Sequence, residues 1–289
     1  MAGGYMGRLL LVNLSTWEIK EEKPEENLYR DFIGGYGVGA RILHNCQKAG
    51  VDPLGPENIL GLITGPLTGT LANTGTRYTV VAKSPLTGGW GDANSGGIFG
   101  PVLKFAGYDA VFFTGIAEKP VYLFIDNGKP ELKDAGHLWG KNTYETEETL
   151  RAKLGKGTEA VCIGQSGEKL SLISCIVTEK GATAGRSGLG AVMGSKKLKA
   201  VAVKGTQKVP IADSERANKL RREHVKLLKW PGPGQGSFLE RFHTYGTTSF
   251  TSKSAHSGDT PVKNWGGVGV TDFPDVTGLG GDDANSPPG

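Results

Sequence analysis

Two glycine-rich segments of this sequence carry the residue types that bind phosphate. The first comprises residues 84–88 and 92–97, which include Asn94, Ser95 and Gly96, with Arg77 just ahead of both parts, and the second runs from Gly181 to Gly190. Small residues let backbone N–H groups approach an anion closely, Asn and Ser add hydrogen bonds, and Arg donates two bonds in a fork. The segments lie about a hundred residues apart, so the pattern predicts a large ligand with more than one phosphate.

The second segment supplies its own group of candidate binding residues. These are Thr183, Ala184, Gly185 and Arg186. A helix is predicted from Gly188 to Lys196, so that its N-terminus would face this group, a geometry that suits an anion. Each group also has a plainer interpretation, because Asn-Ser-Gly is common in tight turns and a single arginine is usually a solvated surface residue. We predict that both groups lie in loops.

Composition indicates a folded chain with a ligand site. The 289 residues suffice for one large domain or two small ones, and hydrophobic residues make up 37%. The 46 glycines cluster without a regular period, which excludes collagen and favours a ligand site lined by backbone. The net charge of +4 is too small to predict nucleic acid as a partner.

The cysteines predict neither a metal centre nor a disulfide framework. Cys46, Cys162 and Cys175 are far apart, with no Cys-x2-Cys pair for zinc or an iron–sulfur cluster. Sparse cysteines without a signal peptide predict a reducing, cytoplasmic location. No run approaches the roughly 20 apolar residues that span a bilayer, so no membrane partner is expected. The five histidines show no ligand spacing, and catalytic residues stay unknown.

Hydrophobic patterning predicts an α+β fold in which sheet dominates, because strands and helices mix without strict alternation. The expected strands are 8–13, 17–21, 59–64, 78–82, 110–114, 121–125, 131–133, 160–163, 170–177 and 200–203. The expected helices are 24–33, 38–48, 99–106, 143–154 and 188–196. Thr143 is predicted to cap the helix that starts there.

A nucleotide fingerprint at residues 34–39 (Gly-Gly-Tyr-Gly-Val-Gly) is the main competing motif. Such a fingerprint needs a buried strand immediately before it. The preceding residues, 28–33, are more helical than strand-like, so a packing turn ahead of a helix is the favoured interpretation.

The chain changes character after residue 210. Asp213 or Ser214 is predicted to cap a basic helix that runs to about Trp230. A solvated helix face is the favoured interpretation of its charges, with an acidic partner as the alternative. From Pro231 to Gly289, glycine and proline are frequent and no periodic apolar run has helix length, so this segment is expected to be mobile on its own.

Several short motifs, in one order, resemble the N-terminal domain of the tungsten-containing aldehyde ferredoxin oxidoreductase family. The match runs from about Gly7 to Pro210 and weakens to about Gly267. Its pieces are 7–8, 12–16, 34–37, 52–54, 56–58, 65–70, 84–88, 92–97, 103–109, 185–186 and 194–196. One piece alone would be weak, whereas so many in one order are specific.

The resemblance implies a fold and cofactors. It implies a domain built from two β-sheets with flanking helices over residues 1–210, and residues 211–289 as the start of an incomplete, helical second domain. In the family, the first domain is the platform for a tungsten (or molybdenum) bis-pterin cofactor. The family also holds a [4Fe–4S] cluster on cysteines that lie later, so we expect a truncated or split form, inactive alone, with the cluster in the complete enzyme only.

The resemblance further implies roles for the candidate residues. Arg77 would contact a pterin phosphate, and Asn94 and Gly96 would line the cofactor. Backbone carbonyls of Asn94 and Thr183 would hold a magnesium ion that bridges the phosphates. Well-known family members read Arg-Ala-Ala-Gly-Arg where this chain reads Ala-Thr-Ala-Gly-Arg over residues 182–186. One guanidinium is therefore missing, and Lys180 is the candidate to compensate for it.

The implied function is oxidation of a small aldehyde to a carboxylic acid with ferredoxin as electron acceptor. The other expected partner is the missing C-terminal half or a partner chain, and the resemblance also allows a homodimer. Two alternatives stay open: a fragment of a tungstoenzyme that reduces an aromatic acyl-CoA, and a non-catalytic pterin-cofactor carrier or scaffold.

Overall fold

Six strands near the start of the chain form a mixed sheet. The computed structural model describes residues 3–73, 75–228, 238–276 and 278–280. The strands are β1 (Leu9–Asn13), β2 (Glu18–Glu22), β3 (Leu60–Thr64), β4 (Tyr78–Lys83), β5 (Trp90–Ser95) and β6 (Ala110–Thr114). Their spatial order is β2-β1-β6-β3-β4-β5, and only the β1–β6 pair is parallel. β5 is therefore an edge strand.

The next six strands form a second mixed sheet. They are β7 (Val121–Asp126), β8 (Lys129–Asp134), β9 (Glu159–Cys162), β10 (Ile176–Thr178), β11 (Ala182–Ala184) and β12 (Leu198–Lys204). Their order is β11-β10-β9-β12-β7-β8, with β12 and β7 parallel. Asn127 and Gly128 both have positive φ, at 47° and 88°, as a two-residue hairpin turn between β7 and β8 requires. In this sheet β11 is an edge strand.

The helices cover the sheets and fill the space between them. In the first part of the chain they are α1 (Glu26–Phe32), α2 (Gly35–Cys46), α3 (Phe99–Phe105), α4 (Thr143–Leu154), α5 (Gln165–Glu168) and α6 (Leu189–Ser195). α1 and α2 pack on the outer face of the first sheet, and α4 packs on the outer face of the second. α3 and α6 are buried and contact strands of both sheets. The prediction of an α+β domain with two sheets and flanking helices is confirmed.

Alternation along β4 shows how the first sheet divides its side chains. Tyr78, Val80 and Ala82 point into the core shared with the second sheet, whereas Val81 joins the outer cluster under α1 and α2. Successive side chains of a strand point to opposite faces, so Thr79 shares the outer face with Val81. β4 thereby anchors the sheet from both sides.

Buried lysines mark the interior of this part of the chain. Lys104 donates to the backbone oxygens of Gly4 and Gly65 and lies 3.7 Å from an Asp109 oxygen. Burial lowers the pKa of Lys104 to about 8 and that of Lys196 to about 8. Charged groups are costly inside a protein unless they are paired or hydrogen-bonded, so these contacts are needed to hold the lysines there.

Several local predictions are corrected. Asn142, not Thr143, caps α4: its side chain accepts from the Glu145 backbone N–H, and the Glu145 side chain accepts from the Asn142 N–H in return. The strand expected over 170–177 is limited to β10, because residues 170–175 form turns behind α5. β5, β11 and α5 were not predicted as elements, whereas the other strands and helices up to residue 204 agree with the expected positions within a few residues.

The chain divides into two compact units after Lys219. Asp213 caps α7 (Ser214–Leu228), as predicted, by accepting from the Arg216 N–H at 2.8 Å. The second unit also contains α8 (Phe238–Tyr245), α9 (Thr251–Ser257), α10 (Gly269–Asp272) and two short 3-10 helices, Gly246–Phe250 and Val262–Trp265. These helices lie in a segment where hydrophobic patterning alone shows no periodic apolar run of helix length. The expected mobility of 231–289 concerns a range that includes 231–237 and 281–289, outside the described residues.

Candidate functional site

The two candidate groups lie on the facing edges of the two sheets. Asn94 and Ser95 end β5, and Gly96 follows them, while Thr183 and Ala184 belong to β11. β5 and β11 contact each other although they belong to different sheets. Segments about a hundred residues apart therefore meet, as a ligand with several phosphates would require.

Both groups were expected in loops, and that expectation is wrong for the residues in β5 and β11 but agrees with the positions of Arg77, Gly96, Gly185 and Arg186, which lie outside the strands. Asn94 pairs with Thr79 and Thr183 pairs with Val177, each in an antiparallel ladder. Asn, Asp and Gly are depleted in strands, so local propensity pointed away from β5, and pairing with β4 overrides it. An edge strand still leaves backbone N–H and C=O groups unpaired on its open side, which preserves the chemistry that the loops were expected to supply.

A chain of three side chains organises the edge of the first sheet. The Arg77 guanidinium donates to Asn94 Oδ1 at 2.7 Å, and Asn94 Nδ2 donates to the Tyr36 hydroxyl. Arg77 and Asn94 are exposed, and the Tyr36 side chain is 44% exposed. Tyr36 lies in the first turn of α2, next to Gly35. Sequence reasoning treated this turn only as packing and missed Tyr36, although an aromatic residue between two glycines was a visible signal.

The second arginine is organised differently. Arg186 is exposed and has no hydrogen-bonding or ion-pair partner within the described ranges. Lys180, the candidate to replace the missing guanidinium, pairs instead with Glu148 at 2.6 Å. The Glu148 carboxylate holds the pKa of Lys180 above its usual value. Arg186 is therefore the cation at this edge that keeps its donors available.

Two serines join the strand edges at one end. Ser84 Oγ donates to the Ser187 carbonyl at 2.8 Å, and Ser187 Oγ donates to the Asp92 carbonyl at 3.1 Å. Both side chains belong to the glycine-rich segments that the sequence singled out. These bonds fix the start of β5 beside the segment that carries Arg186.

Two glycines, one within β5 and one directly after it, differ in what constrains them. A Cβ at Gly91 would lie 2.9 Å from Ser84 Cβ and 3.1 Å from Ser187 Cβ, so packing excludes a side chain there. A Cβ at Gly96 would have nothing within 4 Å. The fold does not require glycine at residue 96, and the open space beside it fits the close approach of a ligand.

Two of the candidate residues offer only their backbone. Ser95 is 2% exposed and Ala184 is fully buried, so both side chains point into the core. The expected helix N-terminus is also occupied by the protein itself. The Gly190 N–H donates to Ser174 O at 3.2 Å and the Ala191 N–H to Gly188 O at 3.0 Å. The second and third N–H groups of α6 are therefore already used within the protein.

The described residues contain no group of three or more His, Cys, Asp or Glu side chains that could hold a metal ion. Burial raises the pKa of Cys162 to about 12, which makes this thiol unreactive. None of the helices in the described part of the chain is long and apolar enough to cross a membrane.

Comparison with known proteins agrees with this architecture. The profile of the aldehyde ferredoxin oxidoreductase N-terminal domain matches residues 9–205. The tungsten-containing aldehyde ferredoxin oxidoreductases of Pyrococcus furiosus and Thermococcus kodakarensis are 46% and 44% identical over 263 residues, or 91% of this chain. The alignment covers 43% of each relative, so the chain spans less than half the length of these relatives.

A solved structure shows the same fold. The active-site complex BamBC of benzoyl coenzyme A reductase, bound to 1,5-dienoyl-CoA, matches with a TM-score of 0.77 and 36% identity. The match covers 79% of this chain and 35% of that chain. The domain profile, the identities to the two oxidoreductases and this structural match agree. The chain belongs to the aldehyde ferredoxin oxidoreductase family.

Proposed function

We propose that this chain is the pterin-cofactor-binding part of a tungsten-dependent oxidoreductase. The complete enzyme would oxidise an aldehyde to a carboxylic acid and pass the electrons to ferredoxin. One observation carries the proposal: two glycine-rich segments, distant in sequence, meet at facing sheet edges with an arginine on each. When bound, the tungsten–pterin group would supply the two-electron chemistry, while the protein binds and orients it.

The residues present fit the phosphates of such a group. Arg77, held by Asn94, would donate to one phosphate with little loss of side-chain freedom. Arg186 would donate to a phosphate at the other edge. Gly96 would let the cofactor approach the backbone, because the space beside it is open. Ser95, Ala184 and Gly185 would contribute through the backbone.

A magnesium ion is part of the proposal. It would bridge the pterin phosphates, with the backbone carbonyls of Asn94 and Thr183 as its protein ligands. Carbonyl and phosphate oxygens are the hard donors that magnesium prefers. Both residues lie on edge strands, where backbone oxygens on the open side are not used by the sheet.

The remaining machinery would lie outside this chain. The [4Fe–4S] cluster, the acid and base residues and the surface for ferredoxin are assigned to the part of the relatives that this chain does not cover. We assign residues 1–210 to the cofactor-binding domain and residues 211–289 to the start of the next domain.

A second candidate function is reduction of an aromatic acyl-CoA. The fold match to a benzoyl coenzyme A reductase complex favours it. The relatives named as aldehyde oxidoreductases are more identical to this chain, at 44% and 46% against 36%, so aldehyde oxidation is preferred.

Anaerobic purification of the full-length protein, in which this chain is joined by the C-terminal half or partner chain that completes the enzyme, tests the proposal. We expect tungsten and pterin in the purified protein, and aldehyde-dependent reduction of a viologen dye. Dienoyl-CoA formation from benzoyl-CoA without aldehyde oxidation would support the second candidate. A protein that carries tungsten and pterin but catalyses neither reaction would be a carrier, and one without pterin would contradict all three.

A further inference from the structure

The turn between β10 and β11 has a strained backbone. It runs from Thr178 to Gly181 and is closed by the Gly181 N–H, which donates to Thr178 O at 3.1 Å. Its central residues, Glu179 and Lys180, have φ of 49° and 60°. The left-handed region is strained for a residue with a side chain, and such turns usually contain Asn and Gly. Contacts from outside the turn must therefore hold these two residues in place.

Helix α4 supplies the contacts to Lys180. The Lys180 N–H donates to Glu147 Oε1 at 3.2 Å, and Lys180 Nζ pairs with Glu148 Oε1 at 2.6 Å. Glu147 is 1% exposed, whereas the pair with Glu148 is at the surface. α4 packs on the second sheet, so these bonds fix the turn within its own sheet.

Glu179 reaches the other sheet. Its Oε1 accepts a hydrogen bond from the N–H of Ile98, which lies between the end of β5 and the start of α3. A Cβ at Gly97 would lie 2.8 Å from Oε1 and 2.9 Å from the carboxylate carbon, so the carboxylate packs against the Gly97 backbone. A negative charge beside a phosphate site is electrostatically unfavourable. The site therefore uses the acceptor oxygen of the side chain at residue 179, and not its charge.

We propose that Glu179 is a positioning residue of the phosphate site. It holds the segment from Gly96 to Ile98 against β11. The position of Gly96 relative to Thr183 is therefore fixed before any ligand binds. The serine bonds between Ser84, Ser187 and Asp92 hold the opposite end of the two strands. The proposal rests on the proposed function, because it needs a ligand that contacts both edges.

Hydrogen exchange and cofactor content together test this role in the full-length protein. In Glu179→Ala, the Ile98 amide should exchange about tenfold faster or more, as expected for loss of a hydrogen bond to a charged group. Tungsten and pterin per polypeptide should fall by a similar factor. Glu179→Gln keeps an acceptor oxygen and should restore slow exchange and cofactor content. Glu118→Ala is the matched control: it removes the same side chain and charge at an exposed residue between β6 and β7 and should change neither readout.

The possible results separate this role from the proposed function. Unchanged exchange at Ile98 in Glu179→Ala, or faster exchange with full cofactor content, would overturn the positioning role alone. Wild-type protein without pterin would overturn both proposals. If Glu179→Ala does not fold, Glu179→Gly suits the left-handed backbone and provides the same two readouts.

Discussion

The two sheet edges that form the candidate site are organised in opposite ways. At the first edge, Arg77, Asn94 and Tyr36 hold one another through side-chain hydrogen bonds on the surface. At the second edge, Arg186 has no hydrogen-bonding or ion-pair partner within the described residues. The turn between β10 and β11 is held there by two carboxylates of α4. The first edge has a preorganised cation, whereas the second has a preorganised backbone and a free cation.

This difference predicts unequal contributions to binding. A side chain already held in place loses little conformational freedom when a ligand arrives, whereas a free arginine must be ordered. Ordering a long side chain costs about 0.5–1.5 kcal/mol. We therefore expect the first edge to contribute more affinity for phosphate than the second.

Removal of each arginine should give the largest effects and tests directly whether the two edges contribute unequally. Arg77→Ala should lower cofactor retention by about tenfold to hundredfold, the loss expected for a hydrogen bond to a charged group. Arg186→Ala should lower it by a smaller factor, on the order of fivefold, because ordering offsets part of that bond. Tungsten and pterin content after gel filtration measures both.

Lys129→Ala is the control for the arginine variants. Lys129 is exposed and begins β8, the opposite edge of the second sheet from β11. Its removal changes the net charge equally and should leave cofactor content unchanged. Equal losses in Arg77→Ala and Arg186→Ala would contradict the unequal roles, and no loss in either would contradict the phosphate site.

Two glycines near β5 sharpen the distinction between packing and ligand contact. Gly96→Ala should leave the free energy of unfolding within about 0.5 kcal/mol, since the added methyl group meets only open space. It should nevertheless lower cofactor content, because the methyl group occupies the ligand's approach. Gly91→Ala should destabilise the fold by about 1–3 kcal/mol through contact with Ser84 and Ser187. Urea unfolding and pterin analysis separate the effects, and a destabilised Gly96→Ala would refute the distinction.

Tyr36→Phe tests whether the first edge is truly preorganised. The variant removes the oxygen that receives the Asn94 amide and leaves the ring. A neutral hydrogen bond is worth about 0.5–1.5 kcal/mol, so cofactor retention should fall about twofold to tenfold, less than in Arg77→Ala. Tyr144→Phe, at an exposed tyrosine of α4, is the control. If Arg77→Ala and Tyr36→Phe combined lose as much as Arg77→Ala alone, the three side chains act as one unit.

A pH series separates stability of the core from binding at the edges. Lys104 has its pKa lowered to about 8 in the folded chain, against 10.5 in the unfolded chain. Between these values the unfolded state binds more protons, so the free energy of unfolding should rise with pH, by at most about 1.4 kcal/mol per pH unit for each such lysine. Above about pH 10 the rise should end. Burial raises the pKa of Tyr29 in the folded chain, so this tyrosine loses its proton in the unfolded chain first, and that difference favours unfolding.

The pH effect is measured by urea unfolding at intervals from pH 7 to pH 10. Lys104→Met removes one titrating group and should flatten the rise, with Lys196 accounting for the remainder. Stability that falls steadily from pH 8 upward in the wild type would contradict the assignment. Cofactor retention by the edge residues should not follow the same curve.

The sequence predicted the interior of the fold better than its edges. β3 is a fully buried run with β-branched residues, so its position follows from local pattern. β5 contains Asp92, Asn94 and Gly91, and only pairing with β4 makes it a strand, which no local rule could predict. Asn142 could have been identified, because Glu145 three residues later completes a capping box.

The residues of the candidate site stay a prediction, and what the structure adds is their geometry. Arg77, Asn94, Thr183 and Arg186 were chosen by chemistry and by resemblance, and the fold brings the segments together. Glu179 could not be predicted, because its role depends on contact between two sheets and a glutamate in a turn is ordinary in sequence. The contact between Tyr36 and Asn94 likewise arises only when α2 packs on the first sheet.

Anomalous diffraction at the tungsten absorption edge tests the central claim most directly. In crystals of the full-length protein, purified anaerobically, we predict a tungsten peak beside both sheet edges. Phosphate density should lie against Arg77 and Gly96 on one side and against the segment from Thr183 to Arg186 on the other. A tungsten peak away from β5 and β11, or phosphates that contact one edge only, would contradict the account.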